Sequence, residues 1–403
     1  MGSSANDRRV IQIPLEAGLV CLRGLSPKRL RFEVEYGLER GTTANSFLFL
    51  PSGEEPALLV HPPGNTFAEP YLEALASLVP SDAPLQVVVC HTNPNRVQLL
   101  RQLAERWPQL ALISSNPGAQ LLRELWDQRK PTPPGAAAQE EPEDLPPLPP
   151  LEVVRGELEL KRADGHTIQL LPTPTPRWPG GLMAFEESNG LLMSGKFFAA
   201  HLCSEAWAEA NRSSTEEDRR YFYDCLMAPM VRQVESVLDR IDELPIRTIA
   251  PGHGPAIAES WRSLVVDYRR WGETQERAKL SVALLYASAY GNTAAIADGL
   301  AQGVARTGVR VESINCEFTP TEKLLEAIRS CDAVLIGSPT LGGHAPTPIV
   351  SALGTLLAEG DRAKPVGVFG SFGWSGEALD LLESKLRDGG FRFAFEPIKV
   401  KFS

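Results

Sequence analysis

The six cysteines of the 403-residue chain (Cys21, Cys90, Cys203, Cys225, Cys316 and Cys331) form no C-x-x-C and no closely spaced pair. That scatter argues against a zinc-ligand set and a disulfide framework, and predicts reduced, mostly buried thiols with no catalytic cysteine among them. No apolar run approaches the roughly 18 residues that a membrane span needs. The N-terminus, Met1-Gly-Ser-Ser-Ala-Asn-Asp-Arg-Arg, lacks the apolar core of a signal peptide. Position 6 is Asn rather than Ser or Thr, which argues against N-myristoylation. Positive charge is also in deficit: 40 Lys and Arg against 50 Asp and Glu give a formal net charge of −10. A general affinity for nucleic acid or anionic membranes is disfavoured on that account. The expectation is a soluble, cytoplasmic protein with no nucleic-acid partner and no membrane span.

What is present is ordinary for a globular protein, with 43% hydrophobic and 22% charged residues. The length suggests two to three domains. Residues 130–150 (KPTPPGAAAQEEPEDLPPLPP) are too rich in proline for a helix interior or a paired strand. A polar stretch, RWGETQERAK at 270–279, precedes the apolar run Leu280-Ser-Val-Ala-Leu-Leu-Tyr and sets the predicted boundary between a domain at 1–270 and another at 280–403.

Within 1–270, short apolar runs recur at Ser46–Leu50, Ala57–Val60, Leu85–Cys90, Leu110–Ile113, Ile168–Leu171, Leu182–Phe185, Gly190–Met193 and Arg247–Ala250. Glu205–Asn211 and Arg219–Leu244 read as helical. Many strands with intervening helices predict one sheet-rich α/β domain with two packed sheets. Beyond residue 280, strand and helix alternate regularly to give a five-strand doubly wound pattern.

Three loops that follow strands of the second domain have unusual compositions. Ala287-Ser-Ala-Tyr-Gly-Asn-Thr293 opens a helix, so its backbone N–H groups and the helix dipole favour a phosphate. It has neither G-x-G-x-x-G nor a Walker lysine, which disfavours dinucleotides and nucleoside triphosphates. Gly337-Ser-Pro-Thr-Leu-Gly-Gly-His344 and Gly370-Ser-Phe-Gly-Trp-Ser-Gly376 reach the same carboxyl edge in such a fold. Trp374 could stack a planar ring. Together the three loops resemble those of a flavodoxin domain. The resemblance implies FMN bound by Ser288, Ala289, Tyr290, Gly291, Asn292, Thr293, Ser338, Pro339, Thr340, Leu341, Gly342, Gly343, Ser371, Phe372, Gly373, Trp374 and Gly376. The competing reading is an empty fold of the same shape. His344 could approach the flavin ring.

With such a domain downstream, the segment Arg31–Leu48 (RFEVEYGLERGTTANSFL) resembles the opening of the flavodiiron proteins, most of all their cyanobacterial multidomain class, implicated in reducing O2 to water. The resemblance implies a metallo-β-lactamase-like αββα sandwich followed by the flavodoxin-like five-strand parallel sheet. It makes the Pro-rich segment an insertion within the first domain. It also leaves out the flavin-reductase module that those relatives carry after the flavodoxin domain.

The family's iron ligands follow H-x-E-x-D-H, then a distant His, an Asp 19 positions on, and a last His before Gly. In this chain the matching positions are His91, Asn93, Asn95 and Arg96, then Arg177, Lys196 and His253. Only His91 and His253 keep the family's residue. Three carboxylates are gone and three cations have arrived, and arginine offers no lone pair to a metal. The expectation is no diiron centre and a surplus of positive charge that binds chloride or another small anion. Pairing of Arg96 and Lys196 with Glu186 or Glu187 is the alternative. His61, His166 and His201 match no ligand position; His166 is expected in a turn and His201 in a helix.

By this resemblance the chain is a flavin-dependent oxidoreductase subunit that takes electrons from a reduced nicotinamide, directly or through a reductase module, and passes them from FMN towards O2. Its implied assembly is a head-to-tail homodimer or a heterodimer with a paralogous flavodiiron protein. The alternative is a non-catalytic regulatory or structural subunit beside a metal-complete paralogue.

Overall fold

The computed structural model describes residues 8–16, 18–28, 40–127 and 145–401. Residues 31–39 of the opening segment and 130–144 of the Pro-rich segment lie outside them. The chain divides into two compact units, Met1–Phe222 with Asp239–Val265 and Tyr223–Leu238 with Val266–Ser403.

The first unit holds two sheets. One has seven strands in chain order: β1 (Arg9–Glu16), β2 (Leu19–Ser26), β3 (Thr42–Phe49), β4 (Ala57–Val60), β5 (Leu85–Val88), β6 (Leu110–Ser115) and β7 (Leu151–Val154). Pairing is antiparallel from β1 to β4 and parallel from there to β7. The other comprises β8 (Leu158–Lys161), β9 (Thr167–Pro172), β10 (Leu182–Glu186), β11 (Leu191–Gly195) and β12 (Thr248–Pro251), in the order β12-β11-β10-β9-β8.

Alternation along the strands explains the layers. Leu19 and Cys21 of β2 and Phe47 and Phe49 of β3 meet Ile168, Leu170, Leu182 and Met193 of the second sheet. Their neighbours Val20, Leu22 and Leu48 face the other way, onto Tyr71 and Leu75 of α1 (Ala68–Ala76), Leu100 and Leu103 of α2 (Pro94–Arg106) and Leu122 of α3 (Asn116–Trp126). These strands are buried on both faces and so read as continuous apolar runs.

Glu205–Asn211, expected as helix, is irregular. The buried Arg23 guanidinium takes the carbonyls of Ser204, Ala206 and Trp207. Trp207 and Glu209 exchange backbone bonds with Ala256 instead of with their own turn. The helical stretch expected at Arg219–Leu244 is interrupted. α4 (Glu216–Phe222) passes through a π-turn at Tyr223–Met227 and a 3-10 turn at Ala228–Met230 into α5 (Val231–Asp242). α6 (Trp261–Glu276) follows β12.

In the second unit, Tyr223–Leu238 is tied by Gln302 Nε2 to Cys225 Sγ (2.7 Å) and by Arg232 to Glu312 (3.5 Å). The five strands are β13 (Ser281–Tyr286), β14 (Arg310–Asn315), β15 (Ala333–Pro339), β16 (Val366–Phe372) and β17 (Ile398–Lys401). All pair in parallel in the order β14-β13-β15-β16-β17. The helices are α7 (Asn292–Arg306), α8 (Thr321–Ser330), α9 (Thr347–Glu359) and α10 (Glu377–Asp388). The reversal of strand order beside β13 is the switch point at which ligands bind in such sheets.

No disulfide joins any of the six cysteines, and five are buried. Burial pushes the thiols of Cys21, Cys90 and Cys316 up to about 12. No helix among the described residues is long and apolar enough to cross a membrane.

Candidate functional site: a basic cavity and a three-loop edge

The chain leaves β5 through Val89 and Cys90 to His91 and turns at once into α2. Asn93 caps that helix, its Oδ1 accepting from Arg96 N at 2.8 Å, with Pro94 in the first turn. The cap places Arg96 on the first turn, where NH1 lies 2.6 Å from His91 Nδ1 and 3.1 Å from the His91 carbonyl oxygen. On the second sheet, parallel pairing of β11 with β12 sets the residues after them side by side. Lys196 Nζ lies 2.9 Å from His253 Nε2, while His253 Nδ1 lies 2.7 Å from the Thr43 carbonyl oxygen. A carbonyl can only accept, so Nδ1 carries the proton and Nε2 accepts from the ammonium.

These side chains wall a cavity of about 40 Å³, together with Thr42, Asn45, His61, Asn93 and Asn95. Among the described residues, no Asp or Glu lines it. Arg177 stands half-buried outside that lining, its guanidinium carbon 5.4 Å from the Trp178 ring centroid; Lys196 Nζ is 5.9 Å from the same ring. Six of the seven expected positions therefore converge on one cavity, and Arg177 approaches it through Trp178. The acids weighed as partners are engaged elsewhere. Glu186 holds His166 Nδ1 at 3.0 Å, and Glu187 accepts from Gln169.

The sequence reading missed His61, which lines the cavity with its ring centroid 5.5 Å from that of His91. The signal available was its place: β4 runs parallel beside β5, so His61 and His91 emerge from the same edge. Burial, then the charges of Arg96, His253 and Lys196, hold the His61 imidazole well below its ordinary range. The same holds for His91, through burial and then Arg96 and Lys196. His201 sits in irregular structure rather than a helix, with Nδ1 2.7 Å from Thr42 Oγ1 and its ring 4.6 Å from that of His253. Among the described residues, no group of three or more His, Cys, Asp or Glu side chains could hold a metal ion.

At the carboxyl edge of the second unit's sheet, the three loops are joined. Thr293 Oγ1 and Ser371 Oγ lie 2.8 Å apart, and Thr340 N donates to the Ser371 carbonyl at 3.0 Å. Ser288 Oγ accepts from Ala294 N at 3.1 Å, so that loop caps α7 from within. Gly291, just before the helix, has φ +82°. Gly342 and Gly343, at +56° and +84°, form the tip between the mutually bonded backbones of Leu341 and His344. Tyr290 is 50% and Trp374 83% exposed, unusual for large aromatic side chains. Thr340 Oγ1 is buried with no hydrogen-bond partner among the described residues.

Comparison with known proteins matches residues 284–403 to the flavodoxin family and residues 42–254 to the "ODP family beta lactamase". The chain is 44% identical over 400 residues to diflavin flavoprotein A 6 of Nostoc sp. PCC 7120, covering 99% of this chain and 66% of that one. It is also 44% identical to diflavin flavoprotein A 4 of Synechocystis sp. PCC 6803, covering 93% of this chain and 60% of that one. Its fold matches the metal-soaked Flv1 flavodiiron core of Synechocystis sp. PCC 6803 with a TM-score of 0.90 at 40% identity, covering 98% of this chain and 94% of that one.

The chain belongs to the flavodiiron family. It spans 66% and 60% of the lengths of the two diflavin relatives. Residues 42–254 match the family's metallo-β-lactamase-like domain and residues 284–403 its flavodoxin domain. The loop edge suits FMN: an orphaned hydroxyl, open glycine turns and two exposed aromatic rings follow the carboxyl ends of β13, β15 and β16. Flavodoxin and diflavin relatives support the same cofactor.

Proposed function

We propose that this chain is an electron-transferring flavodiiron subunit whose own metal position has become a basic, anion-binding cavity. The observation that carries this reading is the pair of contacts that engage the two surviving histidines: Arg96 on His91 and Lys196 on His253. At both, a cation sits where a metal ion would compete for the imidazole nitrogen. The donor set does not fit a pair of irons, because the remaining positions offer two amides and three cations in place of three carboxylates and two histidines. With two cations and no carboxylate among the described residues that line it, the cavity favours a small anion.

In the second unit, the Ser288–Thr293 loop would hold the FMN phosphate at the start of α7, and Thr340, Tyr290 and Trp374 would border the ring. FMN supplies one- and two-electron transfer. A reduced nicotinamide is the proposed donor, acting directly or through a reductase module, and a metal-complete paralogue in a head-to-tail dimer is the proposed acceptor on the way to O2.

Elemental analysis and a flavin absorbance spectrum test the chain alone; the reading requires FMN without stoichiometric iron. Oxygen uptake is then measured for the chain, for a metal-complete paralogue, and for their mixture. A rise on mixing supports electron donation. No change would favour the regulatory role, and water-forming activity by an iron-free homodimer would contradict the account of the cavity.

A further inference from the structure

His61 occupies none of the family's ligand positions, yet it stands in the cavity wall in an unusual backbone state. Two non-glycine residues among those described have positive φ: His61 at +62° and Phe198, two residues after Lys196, at +61°. Left-handed backbone is unfavourable for residues with a Cβ and persists only where the surroundings over-determine it. Glycines make room for the ring. A Cβ at Gly252 would stand 2.3 Å from His61 Nε2, and one at Gly195 would lie 3.8 Å from Nδ1. These glycines immediately precede His253 and Lys196. The imidazole is thus wedged between the two loops that carry the Lys196–His253 pair, and is only 3% exposed.

Its Nδ1 is buried with no hydrogen-bond partner among the described residues. An unpaired buried nitrogen is costly and calls for a ligand or an ordered water. A neutral imidazole offers one N–H and one lone pair. Among the described residues, the charged heads that line this cavity are cationic, which favours a ligand that accepts hydrogen bonds. A space of about 40 Å³ admits a halide-sized ion.

We propose that His61 is a hydrogen-bond donor to a halide-sized monoanion held in this cavity beside Arg96 and Lys196. The proposal rests on the anion reading above and adds a residue that the family's ligand pattern does not mark.

Chloride is the probe, titrated against thermal stability of the purified chain with gluconate keeping ionic strength constant. Two variants are compared: His61→Gly, which suits the left-handed backbone and deletes the ring, and His61→Asn, which tolerates that backbone with a shorter side chain. The expected result is saturable stabilisation of the wild type and at least tenfold weaker chloride affinity in both variants. If the wild type saturates and both variants bind equally well, the assignment to His61 is wrong and the anion site stands without it. If the wild type shows no saturable effect beyond gluconate, the anion reading itself falls, and this proposal with it.

Discussion

Lys196 Nζ lies 2.9 Å from the Nε2 atom of His253, whose Nδ1 is bound to the Thr43 carbonyl oxygen. The ammonium therefore donates into the one lone pair through which that imidazole could bind a metal. Arg96, on the first turn of α2, approaches His91 Nδ1 in the same way. Two retained histidines, which in isolation would suggest a residual metal site, are thereby committed to hydrogen bonds within the protein.

Replacing Lys196 with Asp removes a cation and puts a carboxylate into the cavity. Chloride stabilisation should weaken at least tenfold, about 1.4 kcal/mol. Iron should not reach two atoms per chain, because Asn93, Asn95, Arg96 and Arg177 still depart from the ligand pattern. Chloride titration and elemental analysis of K196D after ferrous reconstitution read both outcomes; full iron loading would show that Lys196 alone excludes the metal.

Glu186 makes a separate, pH-dependent contribution to stability. Burial alone would raise its pKa, but hydrogen bonds from His166, Asn189 and Ser188 outweigh that and leave it below the ordinary value. A depressed carboxylate stabilises the fold above its unfolded pKa, and that stabilisation is lost as pH falls through the folded pKa. Glu186→Gln should therefore cost about 1–3 kcal/mol near neutrality. The gap from the wild type should close on acidification below the usual carboxylate range. Denaturant unfolding of both proteins across that range measures it; a gap that widens in acid would contradict the assignment.

The second unit was legible in the sequence because its elements end on local signals. The regular strand–helix alternation expected beyond residue 280 is present: β13 lies within the apolar run Leu280–Tyr286, and α8, α9 and α10 follow in order between the later strands. Proline or glycine stands just before each of those helices. β1 and β2 were not read. β1 is an edge strand that tolerates Pro14, and β2 carries Arg23 and Gly24 inside a buried run. Arg23 is acceptable there only because carbonyls from Ser204 to Trp207 surround it. That contact also undoes the helix expected at 205–211, and no local pattern could announce it. At the cavity, the ligand positions were found by motif spacing, whereas His61 belongs to no motif and is brought there by the pairing of β4 with β5.

Arg219 supports the same cavity from behind. Its guanidinium pairs with Glu209 at 3.0 Å and also takes the carbonyls of Phe198 and Pro255, in the loops that follow Lys196 and His253. Both side chains of the ion pair are almost fully buried. Arg219→Met would leave Glu209 uncompensated and should cost about 3–5 kcal/mol. Calorimetry should show a clearly lower Tm. Conversely, an unchanged Tm would mean that the two loops are held by other contacts.

Gly291 is the position where FMN binding should be most sensitive to backbone alone. It sits at φ +82° immediately before α7, and a Cβ there would meet nothing within 4 Å. Gly291→Ala therefore adds no clash; it penalises only the left-handed conformation, by about 1–2 kcal/mol. If the loop must hold that conformation to present its N–H groups to a phosphate, the FMN dissociation constant should rise about 5–30-fold. Trp374→Ala, which leaves the backbone alone and removes an 83% exposed ring, should weaken FMN through lost stacking instead. Riboflavin, which lacks the phosphate, separates the two causes. Its affinity should be insensitive to G291A and reduced by W374A, as read by flavin fluorescence quenching. Equal losses for FMN and riboflavin in G291A would place the glycine's role in the ring site rather than the phosphate cradle.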